Sequence, residues 1–227
     1  MTGVAVPKVP SIEGVFGDHV RLLPARFHYP APLVDVGAES ATLDALASLA
    51  GRLGSAGTSG VLSSAETDLA RWRRRCVDAA FDHPRPGGSR FNDEHRGAWY
   101  SADSVQCAAD EVGWHHAREL LAIERLHDVL EYEVLAADFR GEFHDGRSLS
   151  VGAGVLHPDP NIAYPLGQAL SAELTRDGSR GLIYPSVRHD GGRCLVAFDP
   201  EAVDNVREGG RVRLRWNGTT EHQLETL

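Results

Sequence analysis

One stretch constrains the fold more than any other: Ser89 to Glu111, SRFNDEHRGAWYSADSVQCAADE. It passes from loop to short strand to turn to helix. Ala98–Ser101 (AWYS) is short, partly apolar and aromatic, the composition of a strand. Ser101 is a suitable N-cap, and Asp103 lies in the first turn, where the positive end of the helix dipole favours a carboxylate. Val105, Ala109, Val112, His116, Leu120 and Ile123 then recur at helical spacing, an apolar stripe that predicts an amphipathic helix. Glu111 falls roughly 120° from Val105, on the shoulder shared with Ser104, Cys107 and His115. A shoulder glutamate is ordinarily a solvated carboxylate.

The rest of the chain interleaves helix and strand irregularly. Met1–Asp18 reads as an arm or frayed tail rich in Pro and Gly, followed by a short strand at Val20–Leu23 ended by Pro24. Glu39–Leu53 is amphipathic and stopped by Gly54; Gly54–Gly60 (GSAGTSG) reads as a flexible connector. Ser63–Ala80 is a second helix, opened by a Ser63-x-x-Glu66 capping box. Its RWRRRC run spreads arginines around the circumference, so a solvated face is the expectation there. His83–Asn92 is a loop in which Gly87 and Gly88 permit unusual backbone angles.

After the organising helix, Glu131–Phe139 is a strand and Phe143–Gly154 irregular. Ile162–Leu174 is a helix in which Pro165 is tolerated only in the first turn. GLIYP (to Pro185), Arg193–Phe198 and Arg211–Trp216 are strands. The resulting order argues an α+β protein with a mixed central β-sheet and flanking helices.

Charge and cysteine usage exclude several classes. Lys+Arg 23 against Asp+Glu 32 gives −9, which disfavours generic binding to nucleic acid or to an anionic membrane. Three cysteines, Cys76, Cys107 and Cys194, are odd in number and never form CxxC, so neither a disulfide framework nor a zinc site is expected. No apolar run approaches the ~18 residues of a membrane span, and the N-terminus lacks the apolar core of a signal peptide. A soluble, cytoplasmic protein is the expectation.

Arg90 precedes Tyr100 by ten residues, Glu111 follows Tyr100 by eleven, and GLIYPSVR later supplies Ser186 at a strand end. This order of Arg, Tyr, Glu and late Ser resembles the RES-domain family, over about residues 81–203. The resemblance implies a fold similar to ADP-ribosyltransferase toxins and one RES-like domain over residues 1–227, with an N-terminal arm (1–18) and an added helical layer at about 39–80. It implies an enzyme that consumes NAD as substrate, by water (glycohydrolase) or by inorganic phosphate as co-substrate (phosphorylase), acting as the toxin of a type II Xre–RES toxin–antitoxin pair. ADP-ribosyl transfer to a protein and a binding module without turnover are the alternatives.

The residue types suit that chemistry. Departure of nicotinamide leaves an oxocarbenium-like ribosyl centre that a carboxylate, Glu111, would stabilise. Arg90, with Arg26 from the loop after the first strand, matches pyrophosphate oxygens. Tyr100 offers a ring and a hydroxyl to nicotinamide or ribose, and Ser186 a hydroxyl to a ribose or amide. The plain alternatives are a strand aromatic for Tyr100, a turn residue for Ser186, and an ion pair of Arg90 with Asp93 or Glu94. The partners implied are NAD and an Xre-like antitoxin, with a homo-oligomer left open. Glu111, His115 and Glu119 share a helical spacing, and His116 with Glu119 forms HxxE, but neither matches a zinc signature, so no metal is expected.

Overall fold

The computed structural model describes residues 7–27 and 56–227. The helix expected at Glu39–Leu53 lies outside them. Two compact units divide the chain, Met1–His28 with Val77–Leu227, and Tyr29–Cys76; the expected helical layer falls largely within the second. Helix α1 (Ala56–Asp82) has residues in both units. It starts before the expected capping box, and residues 56–60 of the supposed connector are helical. Gly57 and Gly60 each disfavour helix by only about 1 kcal/mol, a cost a helix of this length absorbs.

The first unit is built on a seven-stranded mixed sheet: β1 (Ser11–Pro24), β2 (Trp99–Ala102), β3 (His127–Asp145), β4 (Gly181–Pro185), β5 (Arg193–Ala197), β6 (Val203–Asn217) and β7 (His222–Thr226). Two helices complete it, α2 (Val105–Ala122) and α3 (Pro160–Arg176). The sheet order is β1-β2-β5-β4-β3-β6-β7, and β1 also pairs with β3, from Ser11↔His144 to Pro24↔Tyr132. These pairings close a ring, β1–β2–β5–β4–β3, from which β6 and β7 extend along β3. The α+β expectation holds.

Several boundaries differ from the expectation. Residues 11–18 are not an arm but the first half of β1; its outer positions remain exposed, so no hydrophobic alternation marks it. β3 continues to Asp145, through part of the segment read as irregular. The N-cap of α2 is Ser104 rather than Ser101, which belongs to β2; the Ser104 hydroxyl accepts from the Cys107 N–H at 3.1 Å. Because α3 begins at Pro160, Pro165 is its sixth residue and withholds a donor from the Asn161 carbonyl.

The core explains where function has room. β4 and β5 are buried almost throughout (Leu182, Leu195, Val196 and Ala197 at 0 % exposure), as strands covered on both faces must be. α2 buries Cys107, Ala108, Ala109, Gly113, Ala117 and Leu120. Ile123, assigned to the apolar stripe, is 66 % exposed, so the buried face is rotated toward the small residues. Glu111 therefore stands at the border of the packed face, half-buried.

Candidate functional site

The carboxylate end is assembled from a strand terminus. β4 is zipped to β5 from Gly181↔Ala197 to Pro185↔Arg193, which delivers Ser186 directly past the sheet. Its backbone N–H donates to the Gly192 carbonyl (2.8 Å), and its hydroxyl accepts from the N–H groups of Arg188 (3.1 Å) and His189 (3.0 Å). With both lone pairs occupied, the hydroxyl proton is directed to Glu111 Oε1, 2.6 Å away. The Val187 N–H donates to the same oxygen at 3.1 Å, and the Cys194 thiol lies 3.8 Å from it. Oε2 accepts no hydrogen bond among the described residues. One oxygen of Glu111 is thus fixed by the protein and the other is left for a ligand.

Beneath it, the Cys107 thiol lies 4.0 Å from the Arg193 carbonyl. The neighbouring Cys194 thiol draws the Cys107 pKa down, while the Cys107 thiol and burial push Cys194 well up. Neither cysteine is in a disulfide.

Arg90 and Tyr100 organise the loop between α1 and β2. Gly87 and Gly88 turn the chain with φ of 74° and 73°, the region the sequence required of them. Arg90 is buried, and its Nη1 donates to the carbonyls of Val155 (2.7 Å) and His157 (3.1 Å). The ion pair with Asp93 or Glu94 does not form: Asp93 accepts from the N–H groups of His95 and Arg96, and Glu94 from that of Gly87. Gly167 of α3 lies so close that a Cβ there would stand 2.1 Å from the Arg90 carbonyl oxygen. The Tyr100 hydroxyl accepts from the Phe91 N–H (2.9 Å) and donates to Asn92 Oδ1 (2.8 Å). Burial pushes its phenol far above the ordinary value, so it stays protonated. Its hydroxyl therefore holds the Arg90 loop.

Arg26 lies in the exposed turn Ala25–Phe27 after β1, within electrostatic reach of Tyr132, on which Arg85 also acts. His116 is occupied as well: it sits 2.7 Å from Asp128 and 3.5 Å from Glu119, and no group of three metal-binding side chains converges among the described residues.

Sequence reasoning passed over Trp114 and Arg118 and weighed His115 only as a metal ligand. Trp114, His115 and Arg118 follow Glu111 at i+3, i+4 and i+7, one face of α2. The Arg188 guanidinium stacks 3.3 Å from the Trp114 ring centroid and donates from Nη2 to the Pro158 carbonyl (2.6 Å); Arg118 lies 4.9 Å from the same ring. Burial, with Arg90 and Arg118 adding repulsion and Glu111 opposing it, brings the Arg188 pKa down to about 10. Arg188 thus lies within electrostatic reach of both Glu111 and Arg90. Nearby, a concavity lined by Pro86–Gly88, Pro160, Asn161, Tyr164, Pro165 and Gln168 adjoins Arg90, whose guanidinium is 6.0 Å from the Tyr164 ring. A second, lined by Arg96, Thr175, Arg180, Phe198 and Asp199 among others, contains none of the site residues. Spacing along α2 was the signal that could have found Trp114 and Arg118; Arg188 had only its place beside Ser186.

A family model described as the RES domain matches residues 68–217, well over half of the chain. The chain belongs to the RES-domain family. No curated protein matches it. Among solved structures it is similar to a chain of the crystal structure of the M. tuberculosis MbcT–MbcA toxin–antitoxin complex, at 20 % identity and a TM-score of 0.39, over 56 % of this chain and 72 % of that one.

Proposed function

We propose that this RES-domain protein is an enzyme that consumes NAD by cleaving the bond between nicotinamide and ribose. The carrying observation is the half-used carboxylate: Glu111 is held through Oε1 by Ser186 and Val187 while Oε2 accepts nothing among the described residues. As nicotinamide leaves, positive charge develops on the ribosyl carbon and ring oxygen. A carboxylate already fixed in a partly buried site stabilises that charge without reorganising. Arg90 supports the loop that walls the site, and its Nε and Nη2 groups are available to phosphate oxygens. The attacking oxygen comes from water or from inorganic phosphate, and the same pocket would serve transfer to a protein.

An enzyme that drains NAD harms its own cell, so the biological role we propose is that of the toxin of a cytoplasmic toxin–antitoxin pair, restrained by an Xre-like antitoxin. Incubating purified protein with NAD, with and without phosphate, and separating the products tests the reading. Free nicotinamide with ADP-ribose means water as acceptor, and with ADP-ribose 1″-phosphate it means phosphate. NAD left intact under both conditions refutes the enzyme. Co-expression with an adjacent Xre-like gene should restore growth; equal toxicity with and without it refutes the pairing.

A further inference from the structure

Two neighbouring carboxylates of α2 grip one turn from opposite ends. Glu111 accepts at its start, from the Ser186 hydroxyl (2.6 Å) and the Val187 N–H (3.1 Å). Asp110 holds its far side, with Oδ2 at 2.6 Å from His189 Nδ1. The His189 backbone N–H donates to the Ser186 hydroxyl oxygen at 3.0 Å, and its carbonyl accepts from the Gly192 N–H at 3.2 Å. One residue is therefore bound to Asp110 through its ring and to the serine that orients Glu111 through its backbone. The turn is also packed hard against α2. A Cβ at Gly192 would stand 2.7 Å from both the Cys107 thiol and the His189 ring.

The surroundings of Asp110 leave its charge to His189. Its Oδ1 accepts from Gln106 Nε2 at 2.9 Å and lies 3.3 Å from His222 Nε2 of β7. Gln106 is neutral, and burial lowers the His222 pKa against the pull of Asp110, so that ring is neutral at pH 7. His189 is partly exposed, and its hydrogen bond to Asp110 raises its pKa. Burial opposes that shift, while Cys107 and Asp103, just ahead of α2, add to it. Asp103 is itself paired with Arg193 at 3.1 Å. A bond between imidazolium and carboxylate is roughly twice as strong as a neutral one.

We propose that Asp110 and His189 form a positioning pair for Glu111, fixing the Ser186–Gly192 turn so that its two donors orient the carboxylate. The pair acts on Glu111 through the turn alone. Its effect on turnover rests on the proposed NAD chemistry, whereas its coupling to the donors of Glu111 belongs to the fold and is tested apart from it. The sign of the pH dependence follows from the raised folded pKa. The clamp is at full strength below the unfolded value near 6.5 and weakens as pH rises through the folded one.

An NMR pH titration of the free protein tests the coupling without substrate. The Val187 amide, whose proton points at Glu111, should shift with the midpoint of the His189 ring. Asp110→Asn keeps the size and an acceptor but loses the charge, and should lower both midpoints together. In Glu111→Gln the Val187 step should shrink; a step of unchanged size would mark a through-space field of the imidazolium and overturn the proposal. In turnover, His189→Ala should lower kcat roughly 3–10-fold, no more than one hydrogen bond to a charged group, with the KM for NAD nearly unmoved. His189→Asn, which sets an amide donor where Nδ1–H stands, should recover most of that rate while losing the decline in kcat at high pH. Should His189→Ala fail to fold, Asp110→Asn and His189→Asn carry the test. A Val187 amide indifferent to the His189 titration, or an active Asp110→Asn with the wild-type pH profile, overturns the pair. A coupled amide in a protein that leaves NAD intact refutes the activity and keeps the pair. NAD consumption with the amide uncoupled refutes the pair alone.

Discussion

The two ends of α2's polar face solve opposite problems. At Glu111, a carboxylate is held by neutral donors: a hydroxyl, a backbone N–H and a nearby thiol. Seven residues later, guanidiniums are held by neutral acceptors: backbone carbonyls and an indole ring. Had each end been neutralised by a counter-ion, the site would be inert. Neutral partners fix position while leaving charge unspent, and unspent charge of both signs along one helix face suits a substrate that is cationic at one end and anionic at the other. NAD, with its nicotinamide cation and pyrophosphate, has that polarity.

The largest break in this comparison comes from removing the negative end. Glu111→Gln keeps an oxygen able to accept from Ser186 and Val187, so the fold should persist. It removes the charge facing the ribosyl cation, and turnover should fall ~10²–10³-fold, as for loss of one preorganised electrostatic group. KM should move far less, since the interaction is made mainly in the transition state. Steady-state kinetics beside a thermal melt checks this. A well-folded variant with undiminished NAD consumption makes Glu111 a plain surface carboxylate.

Arg90→Ala probes how the cations are held. It removes two charge-assisted bonds to carbonyls and leaves those carbonyls buried, costing about 2–3 kcal/mol of stability. The thermal midpoint should drop by several degrees, and the KM for NAD should rise. Unchanged melting would mean that the bonds to Val155 and His157 do not anchor the loop.

How much of this was visible beforehand follows from which interactions are local. β4 was legible to the residue because GLIYP is a continuous apolar run between turn signals. The first half of β1 was not, since Gly14, Gly17 and Asp18 carry no strand signal and its pairing with β3 is more than a hundred residues distant. The α2 stripe was misjudged by weighing Val112 and Ile123 above Ala108, Gly113 and Ala117. Close packing selects for small volume, which hydropathy does not register. Within the site, Glu111 and Ser186 were named through the family resemblance, and they meet. Arg26 was named the same way and occupies the turn after β1. Arg188 was invisible, because its value depends on a tryptophan seventy-four positions earlier in the chain.

A smaller test reads the positive end through pH. The folded His115 pKa of about 4 lies below its unfolded value near 6.5, so the folded protein refuses a proton that the unfolded chain accepts. Stability from this residue is full above about pH 6.5, falls as pH drops, and is exhausted below about 4. Between pH 7 and 5 the loss is about 2 kcal/mol, and His115→Gln should remove that part of the pH dependence. Identical denaturation profiles for wild type and His115→Gln across this range would rule out such a depressed histidine.

The smallest effect is expected where the two ends meet. Ser186 donates to Glu111 and accepts from the N–H groups of Arg188 and His189, so one hydroxyl positions the carboxylate and the turn that carries the arginine. Ser186→Ala leaves Glu111 its bond from Val187 and keeps both charges, so turnover should fall about tenfold, the low end of the scale for one hydrogen bond to a charged group. Stability should drop by about 1 kcal/mol. If the hydroxyl acts by positioning Glu111, the alanine should cost much less in a Glu111→Gln background, where no negative charge remains to position. Equal costs in both backgrounds, measured as a double-mutant cycle on kcat, would separate the serine from the glutamate and leave it the role of a turn residue.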